Sequence, residues 1–366
     1  MDGRIRNLAS YRLTDPAPKP TRRELIAATG GSLLLLGGFD ALGYAVPWIA
    51  ANLLAIVAAI FLYLPSVLLP RGGPDPVDYG LTLEGAPRGI AFGAAVSLVI
   101  LVGFVPGHHL WTTIALDRVA APDAGALRQP GEWLRGTPAR FDDERLHVWH
   151  DGERVHVRWH TDDAWRLDVT TDGSLRLGGA DAAPRDRIEL SADAPRELHI
   201  AFVVRGASEL VVRAEVDGAS VPAEVWAIGG ASRPARDRNQ QGGALRIPIG
   251  HGWLGMMLLV QLLLVAIPEE FFYRGYLQRR LDEANGRRVL VRLGPIDISR
   301  SNLVASIVFA CGHFVIGWAP IRLMVFFPSL LFGWMRDRTD GLAAGVTCHV
   351  ACNAMVHVAA VLYLAT

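Results

Sequence analysis

Apolar residues crowd into two stretches of this chain, 25–106 and 251–366, and the segment between them holds most of the charge. Within the first stretch, 25–45, 48–69 and 89–105 are apolar runs of roughly the length that crosses a hydrocarbon core about 30 Å thick. The second begins near Gly252 with a run that is apolar from Leu254 to Ile267 except for Gln261, and that ends in two adjacent carboxylates, Glu269 and Glu270. That helix is expected to continue to about Leu281, and three further runs follow it at 302–318, 320–335 and 341–364. Seven spans are therefore expected. The intervening segment has a different period. Residues 146–150 and 154–160 alternate at period two around Asp151-Gly152, which predicts a hairpin. Further alternating runs lie at 165–169, 187–190, 197–204, 210–216 and 221–228, separated in places by turn signals such as Thr171-Asp-Gly-Ser and Asp217-Gly-Ala-Ser. Short strands at this spacing predict a small antiparallel sandwich or barrel. Residues 229–246, polar and glycine-rich, read as a linker back to the membrane.

The fold class expected is thus an α-helical polytopic membrane protein of about seven spans with an inserted extracytoplasmic, all-β, sandwich-like domain. Its parts are a tail (1–24), a first membrane block of three spans (25–106), the β domain with its linker (107–250), and a second membrane block of four spans (251–366). Length alone, 366 residues, suggests two or three soluble domains, but the distribution of apolar residues overrides that. Thirty-six basic residues balance 36 acidic ones, so no general attraction to nucleic acid is expected. The three cysteines, Cys311, Cys348 and Cys352, all lie in apolar segments, and the polar middle must fold without disulfides. Orientation follows from the arginines. A cytoplasmic N-terminus puts the basic tail, the 71–88 connector, the 279–300 loop and Arg336/Arg338 on one side. The expected location is the cytoplasmic (inner) membrane, with 107–250 outside. The tail reads as a retained cytoplasmic segment and not as a cleaved signal, because the apolar stretch after it is long and a second follows at once.

Carboxylates in a membrane helix are expensive and mark function by default. Arg274 stands four residues after Glu270, the spacing at which a carboxylate and a guanidinium meet on one helix face. Glu269 is rotated about 100° away and needs another partner. Three other polar groups in apolar helices offer themselves: His313, and His349 with Asn353, which share a face at a spacing of four. Counted from the cytoplasmic ends of their helices, Glu269, His313 and His349 all lie roughly 13–17 Å deep, at about 1.5 Å per residue. Groups on three helices at one depth can converge. A carboxylate in a dry site can act as general base for a water, a histidine can orient that water, and a second histidine with an asparagine amide can stabilise an oxyanion. Zinc held by Glu269, His313 and His349 is the alternative, with asparagine the poorer ligand.

These residues form a recognisable set. Glu269-Glu270-x-x-x-Arg274, Phe309-x-x-x-His313 and His349-x-x-x-Asn353, with the lead-in Phe332-Gly-Trp-Met-Arg-Asp-Arg-Thr-Asp-Gly-Leu, resemble the three-motif signature of the CPBP intramembrane proteases. That family includes the type II CAAX prenyl endopeptidases and bacteriocin-processing or immunity proteins. The resemblance covers roughly 250–366 and implies a catalytic membrane block. In it Glu269 activates water with His313, His349 and Asn353 form the oxyanion hole, and Glu270 and Arg274 support the architecture. It implies hydrolysis of a peptide bond near the C-terminal, membrane-proximal tail of a membrane or lipidated protein. The family has been described both as metalloproteases and as glutamic-type, so the expectation is no cofactor, with zinc as the alternative. An inserted β domain is foreign to the minimal pattern; by layout it resembles the myxosortase type, which processes sorting signals.

Blander readings stand beside these. Glu269 and Glu270 alone would suit a helix end at the headgroups, and His313 could be a satisfied histidine between packed helices. Cys348 and Cys352 beside His349 invite a metal reading, but buried thiols usually behave as small apolar residues. His357 is expected to serve helix packing, and His108-His109 to lie at the interface. In the β domain, His147, His150, His156 and His160 flank the hairpin and are expected on its solvent face, while Trp149, Trp159 and Trp165 are expected in its core. Two other functions remain open: a non-proteolytic scaffold or immunity factor that binds a partner through the β domain, and a transporter with a midplane carboxylate, which would predict a symmetry of half-helices that the sequence lacks.

Overall fold

The computed structural model describes residues 19–69, 76–115, 124–130, 146–151, 154–177, 182–193, 196–221, 223–226, 232–234, 240–241 and 243–363. Most of the N-terminal tail, Gly152 of the hairpin turn, and Gly229, Gly230 and Asn239 of the expected linker lie outside these residues. Among the described residues, five helices are long and apolar enough to cross a membrane: α1 (Arg22–Ala45), α2 (Pro47–Leu68), α3 (Ala86–Ile114), α4 (Gly252–Asn285) and a last helix, Ala343–Tyr363. Two shorter helices precede that last one, α5 (Arg300–Val315) and α6 (Phe326–Thr339), so Ala343–Tyr363 is α7. The seven expected apolar runs are all helical, but two fall short of a full crossing. The run expected at 302–318 stops early because Gly317 and Trp318 take positive φ (77° and 49°). The run expected at 320–335 opens with a 3₁₀ turn, Pro320–Val325, before α6 begins.

The chain divides into two compact units, the first made of residues 1–41, 54–96 and 263–349 and the second of 42–53, 97–262 and 350–366. In the first, α4 carries the local irregularity that matters most. Pro268 has no N–H to give the preceding turn, and the helical ladder takes up the mismatch in π-helical stretches on both sides, Gln261–Ala266 and Phe271–Gln278. Every residue of Phe271–Gln278 is buried. Helix α7 packs closely on α3 at Gly89 and Gly93, four residues apart; a Cβ on Gly93 would stand 2.4 Å from the Ala344 carbonyl oxygen.

The 279–300 segment, expected as a basic cytoplasmic loop, is more structured than its charge suggests. Arg280 is fully buried and gives two hydrogen bonds to Glu24 of α1 (2.7 and 2.9 Å) and a third to Glu283 (2.5 Å). Tyr276 adds its hydroxyl to Glu24 (3.1 Å). A short hairpin, Val289–Leu293 with Ile296–Ser299, completes the segment.

In the second unit lies the inserted β domain. Its main strands are β1 (Leu146–His150), β2 (Val155–Thr161), β3 (Trp165–Leu177), β4 (Arg185–Ala192), β5 (Arg196–Arg205), β6 (Glu209–Val216), β7 (Ala219–Ser220), β8 (Ala223–Trp226) and β9 (Ala244–Gly250). With short edge pieces they form one twelve-stranded sheet, ordered Gln129–Pro130, β9, β6, β3, β5, β2, β1, β8, Ser232–Pro234, with β4 on β3 and β7 on β6. All pairings are antiparallel except β1 with β8. Inward residues of β1 to β6 and β9 bury one shared core, as a sandwich-like domain requires, although a single sheet supplies it. The predicted hairpin pairs Trp149 with His156 across β1 and β2. Asp217 and Gly218, both at positive φ, make the two-residue turn between β6 and β7.

Two expectations need correction. Thr171-Asp-Gly-Ser is not a turn but the bulged middle of β3, where Asp172 accepts from the Ser208 (2.8 Å) and Glu209 (3.1 Å) backbone amides. Gly173 is required there, since a Cβ would stand 2.3 Å from the Arg205 carbonyl oxygen. The 229–246 stretch is not linker to its end: β9 starts at Ala244, pairs with β6 and sends Leu245, Ile247 and Ile249 into the core.

Candidate active site

In the first unit, the carboxylate motif of α4 meets α5, α6 and α7. Arg274 is fully buried and ties three helices together: its guanidinium donates to Ser306 of α5 (3.4 Å) and to Ser329 of α6, and lies over the Phe309 ring at 5.6 Å. Its Nε is 3.8 Å from Glu270 Oε2, the expected i,i+4 pair. Glu270 has a second and closer partner. His349 of α7 donates from Nδ1 to Glu270 Oε1 at 3.1 Å, the only sense in which an ionised carboxylate can take part. That bond fixes the imidazole with Nε2 turned to Glu269, whose Oε2 lies 3.6 Å away. Phe332 stacks on the same ring at 4.8 Å, with 16° between planes. Gly345 allows the approach, because a Cβ there would stand 2.7 Å from Glu270 Oε2.

His313 is half-buried on α5. Its Nδ1 is spent on the carbonyl of Phe309, one turn back, at 3.1 Å. The Phe309 ring touches both histidines, with centroids 4.5 Å from His313 and 6.0 Å from His349. The structure therefore brings Glu269, Glu270, Arg274 and His349 together directly, and places His313 next to them across one aromatic ring. Among the described residues, five buried polar atoms of α4 have no hydrogen-bond partner: Gln278 Oε1 and, clustered at the motif, Glu269 Oε2, Glu270 Oε2, the Tyr273 hydroxyl and Arg274 Nε. Such a concentration within two turns marks a place that solvent or a substrate must satisfy.

Zinc would need three ligands around one point, and among the described residues no group of three or more His, Cys, Asp or Glu side chains is gathered closely enough to share an ion.

In the second unit, Asn353 follows His349 by one turn of the same helix and donates from Nδ2 to Gln261 Oε1 at 2.7 Å. Gln261 in turn meets His357 at 3.2 Å, so His357 joins a polar chain and does not merely pack. Cys348 is buried and Cys352 half-buried. His108 and His109 lie against Tyr363, whose hydroxyl is 2.9 Å from His109 Nδ1. In the β domain, His147 and His150 are buried, contrary to the solvent-facing expectation. Trp159 and Trp165 are in the core as expected; Trp149 instead stacks on His156 (4.8 Å) and His199 (5.6 Å). Sequence reasoning missed Ser306, Ser329, Tyr273, Gly345 and Gln261. Two had signals: Gly345 stands one turn before His349, and Gln261 is the lone polar residue of its apolar run.

A helical membrane protein with an inserted β domain and a buried Glu, Glu, Arg and His cluster is the class that fold and site define. Residues 251–355 match the Rce1-like family, described as type II CAAX prenyl endopeptidase Rce1-like. The C-terminal block of the chain thus belongs to the CPBP family, as its three motifs led us to expect, and the match begins only after the β domain. Neither a search of curated proteins nor one of solved structures returned a match. The family is one of proteases, so the matched block is of the CAAX-type membrane endopeptidase kind, and the apolar helices fit a multi-pass membrane protein.

Proposed function

We propose that the protein cleaves a peptide bond in the membrane-proximal C-terminal tail of a membrane or lipidated protein, prenylated or carrying a sorting signal, with Glu269 as the base that activates water. The observation that supports this reading is the buried triplet Glu270, His349 and Glu269, in which one carboxylate orients the imidazole and the other faces its free nitrogen. In the reaction, Glu269 takes a proton from water as the oxygen attacks the scissile carbonyl carbon. His313, whose Nδ1 is held by its own helix, turns Nε2 to the water. Negative charge on the carbonyl oxygen is met by the Asn353 amide and by the His349 Nε2–H, formed when Glu269 passes on the water's proton. As the carbonyl re-forms, the C–N bond breaks and the leaving nitrogen takes that proton. Arg274 and Glu270 hold the geometry and touch no substrate. No step needs a metal.

The orientation that suits this chemistry has the N-terminus in the cytoplasm of a cell with an inner membrane and the β domain outside, where it would meet substrate ectodomains. The experiment is cleavage of a panel of C-terminal tails, prenylated and unprenylated, by the purified protein in liposomes, with and without chelator. Chelator-resistant cleavage of one tail class supports the proposal and identifies the class. Activity lost to chelator and restored by zinc would overturn the metal-free mechanism. Failure on every tail, in preparations that retain partner binding through the β domain, would favour the scaffold reading.

A further inference from the structure

Gln261 is the one polar side chain between Leu254 and Ile267, and it opens the π-helical stretch before the carboxylate motif. A primary amide in an apolar helix is retained where it has partners, and Gln261 has two on α7. Its Oε1 accepts from Asn353 Nδ2 at 2.7 Å, and its Nε2 meets His357 Nε2 at 3.2 Å. The structure places the donors and acceptors along this chain in one order; the reverse would need both amides flipped and the other His357 tautomer. With Gln261 Nε2 donating to the lone pair of His357, its oxygen must face Asn353, and Asn353 must then present its NH₂ end. An asparagine turned the other way would offer a carbonyl oxygen in place of N–H. Each Asn353 Nδ2 carries two hydrogens, so one remains for a second acceptor.

We propose that Gln261 is a positioning residue: anchored by His357, it sets which end of the Asn353 amide is offered to the oxyanion. The inference rests on the reading of Asn353 as an oxyanion donor. It differs from a simple interhelical hydrogen bond in one respect. A residue that acts through Asn353 has nothing left to contribute to kcat once Asn353 is gone, whereas a residue that holds the helices together through His357 lowers activity by the same factor in either background.

The test uses the full-length protein in liposomes and a C-terminal tail peptide that the wild type cleaves, with Gln261→Met, Asn353→Ala and the double variant compared on monodisperse protein. Asn353→Ala should lower kcat by about 10²–10³-fold, as loss of an oxyanion donor does. Gln261→Met should lower kcat about 10–100-fold, the usual effect of losing an orienting partner, with KM unchanged, and the double variant should match Asn353→Ala. Gln261→Glu, which keeps an acceptor for Asn353 and faces His357, should retain at least about a third of wild-type kcat, and it carries the test should Gln261→Met not fold; a Glu variant as impaired as Asn353→Ala would then overturn the inference. Wild-type kcat in Gln261→Met, or an undiminished loss in the Asn353→Ala background, overturns the inference alone. Wild-type kcat in Asn353→Ala overturns the oxyanion reading itself and this inference with it.

Discussion

Arg274 is the side chain whose removal the structure makes most readable. Its guanidinium is fully buried, bonded to Ser306 and Ser329 and 3.8 Å from Glu270. Arg274→Met preserves most of the volume and removes the charge, leaving Glu270 with His349 as its polar partner. Breaking a buried ion pair by deleting one partner costs about 3–5 kcal/mol, because the remaining charge stays dry. Here the pair is at the loose end of ion-pair distance and Glu270 keeps its bond to His349, so the low end, about 3 kcal/mol, is expected. Against a total stability of about 5–15 kcal/mol, that is enough to lower the yield of folded protein. Glu270→Gln with Arg274→Met neutralises both members, so the double variant should be less destabilised than the two singles together, with a coupling of about 1–3 kcal/mol. The assay is reversible denaturation in micelles or nanodiscs followed by tryptophan fluorescence. A Met variant that melts with the wild type, or a double variant that loses the full sum, would refute the reasoning.

The remaining predictions concern neighbouring sites. Gly345→Ala places a Cβ 2.7 Å from Glu270 Oε2, so it should displace the carboxylate, costing about 1–3 kcal/mol and most of the activity; kinetics and melting of that variant check it. Arg280→Met leaves Glu24 with the Tyr276 hydroxyl and Glu283 with Arg279, and should destabilise by about 3 kcal/mol, while Glu24→Gln, which leaves Arg280 its Glu283 partner, should cost less; equal losses in denaturation would contradict the assignment. In the β domain, partial burial, then the charges of His156 and Arg158, hold the His199 imidazole below its ordinary value, with Glu197 opposing. A depressed folded value means the unfolded chain binds the proton more readily, so this contribution to stability is complete above about pH 6.5 and fades as pH falls through the folded value. Denaturation at pH 7.5 and 5.5 should show that loss in the wild type and a smaller one in His199→Gln.

Much of the site was legible because the physics of a buried charge is severe. An apolar run ending in two carboxylates demands partners, and depth counting singled out His349, which the structure sets beside Glu269 at 3.6 Å. What local spacing concealed was the second partner of Glu270. Arg274 at i+4 looked sufficient, yet the closer contact comes from a helix 79 residues away, and nothing in a local pattern reports that. Arg280 misled in the same way, since counting arginines locates charge but not the Glu24 that buries it. The β strands were read from alternation, and the errors came where glycine overrode it. Leu245, Ile247 and Ile249 alternate plainly, but the glycines before them suggested a linker. Gly173 suggested a turn where close approach of another strand needs it inside a bulge.

The central claim is that Glu269 removes the proton from the attacking water. It is tested most directly by single-turnover cleavage of one accepted tail peptide by wild type and Glu269→Gln in the same liposomes, with folding verified by matched melting. The account predicts that Glu269→Gln binds the peptide with unchanged affinity and cleaves it at least about 10³-fold more slowly, since both the base and the proton carrier to His349 are lost. Cleavage by Glu269→Gln within tenfold of the wild-type rate would contradict it.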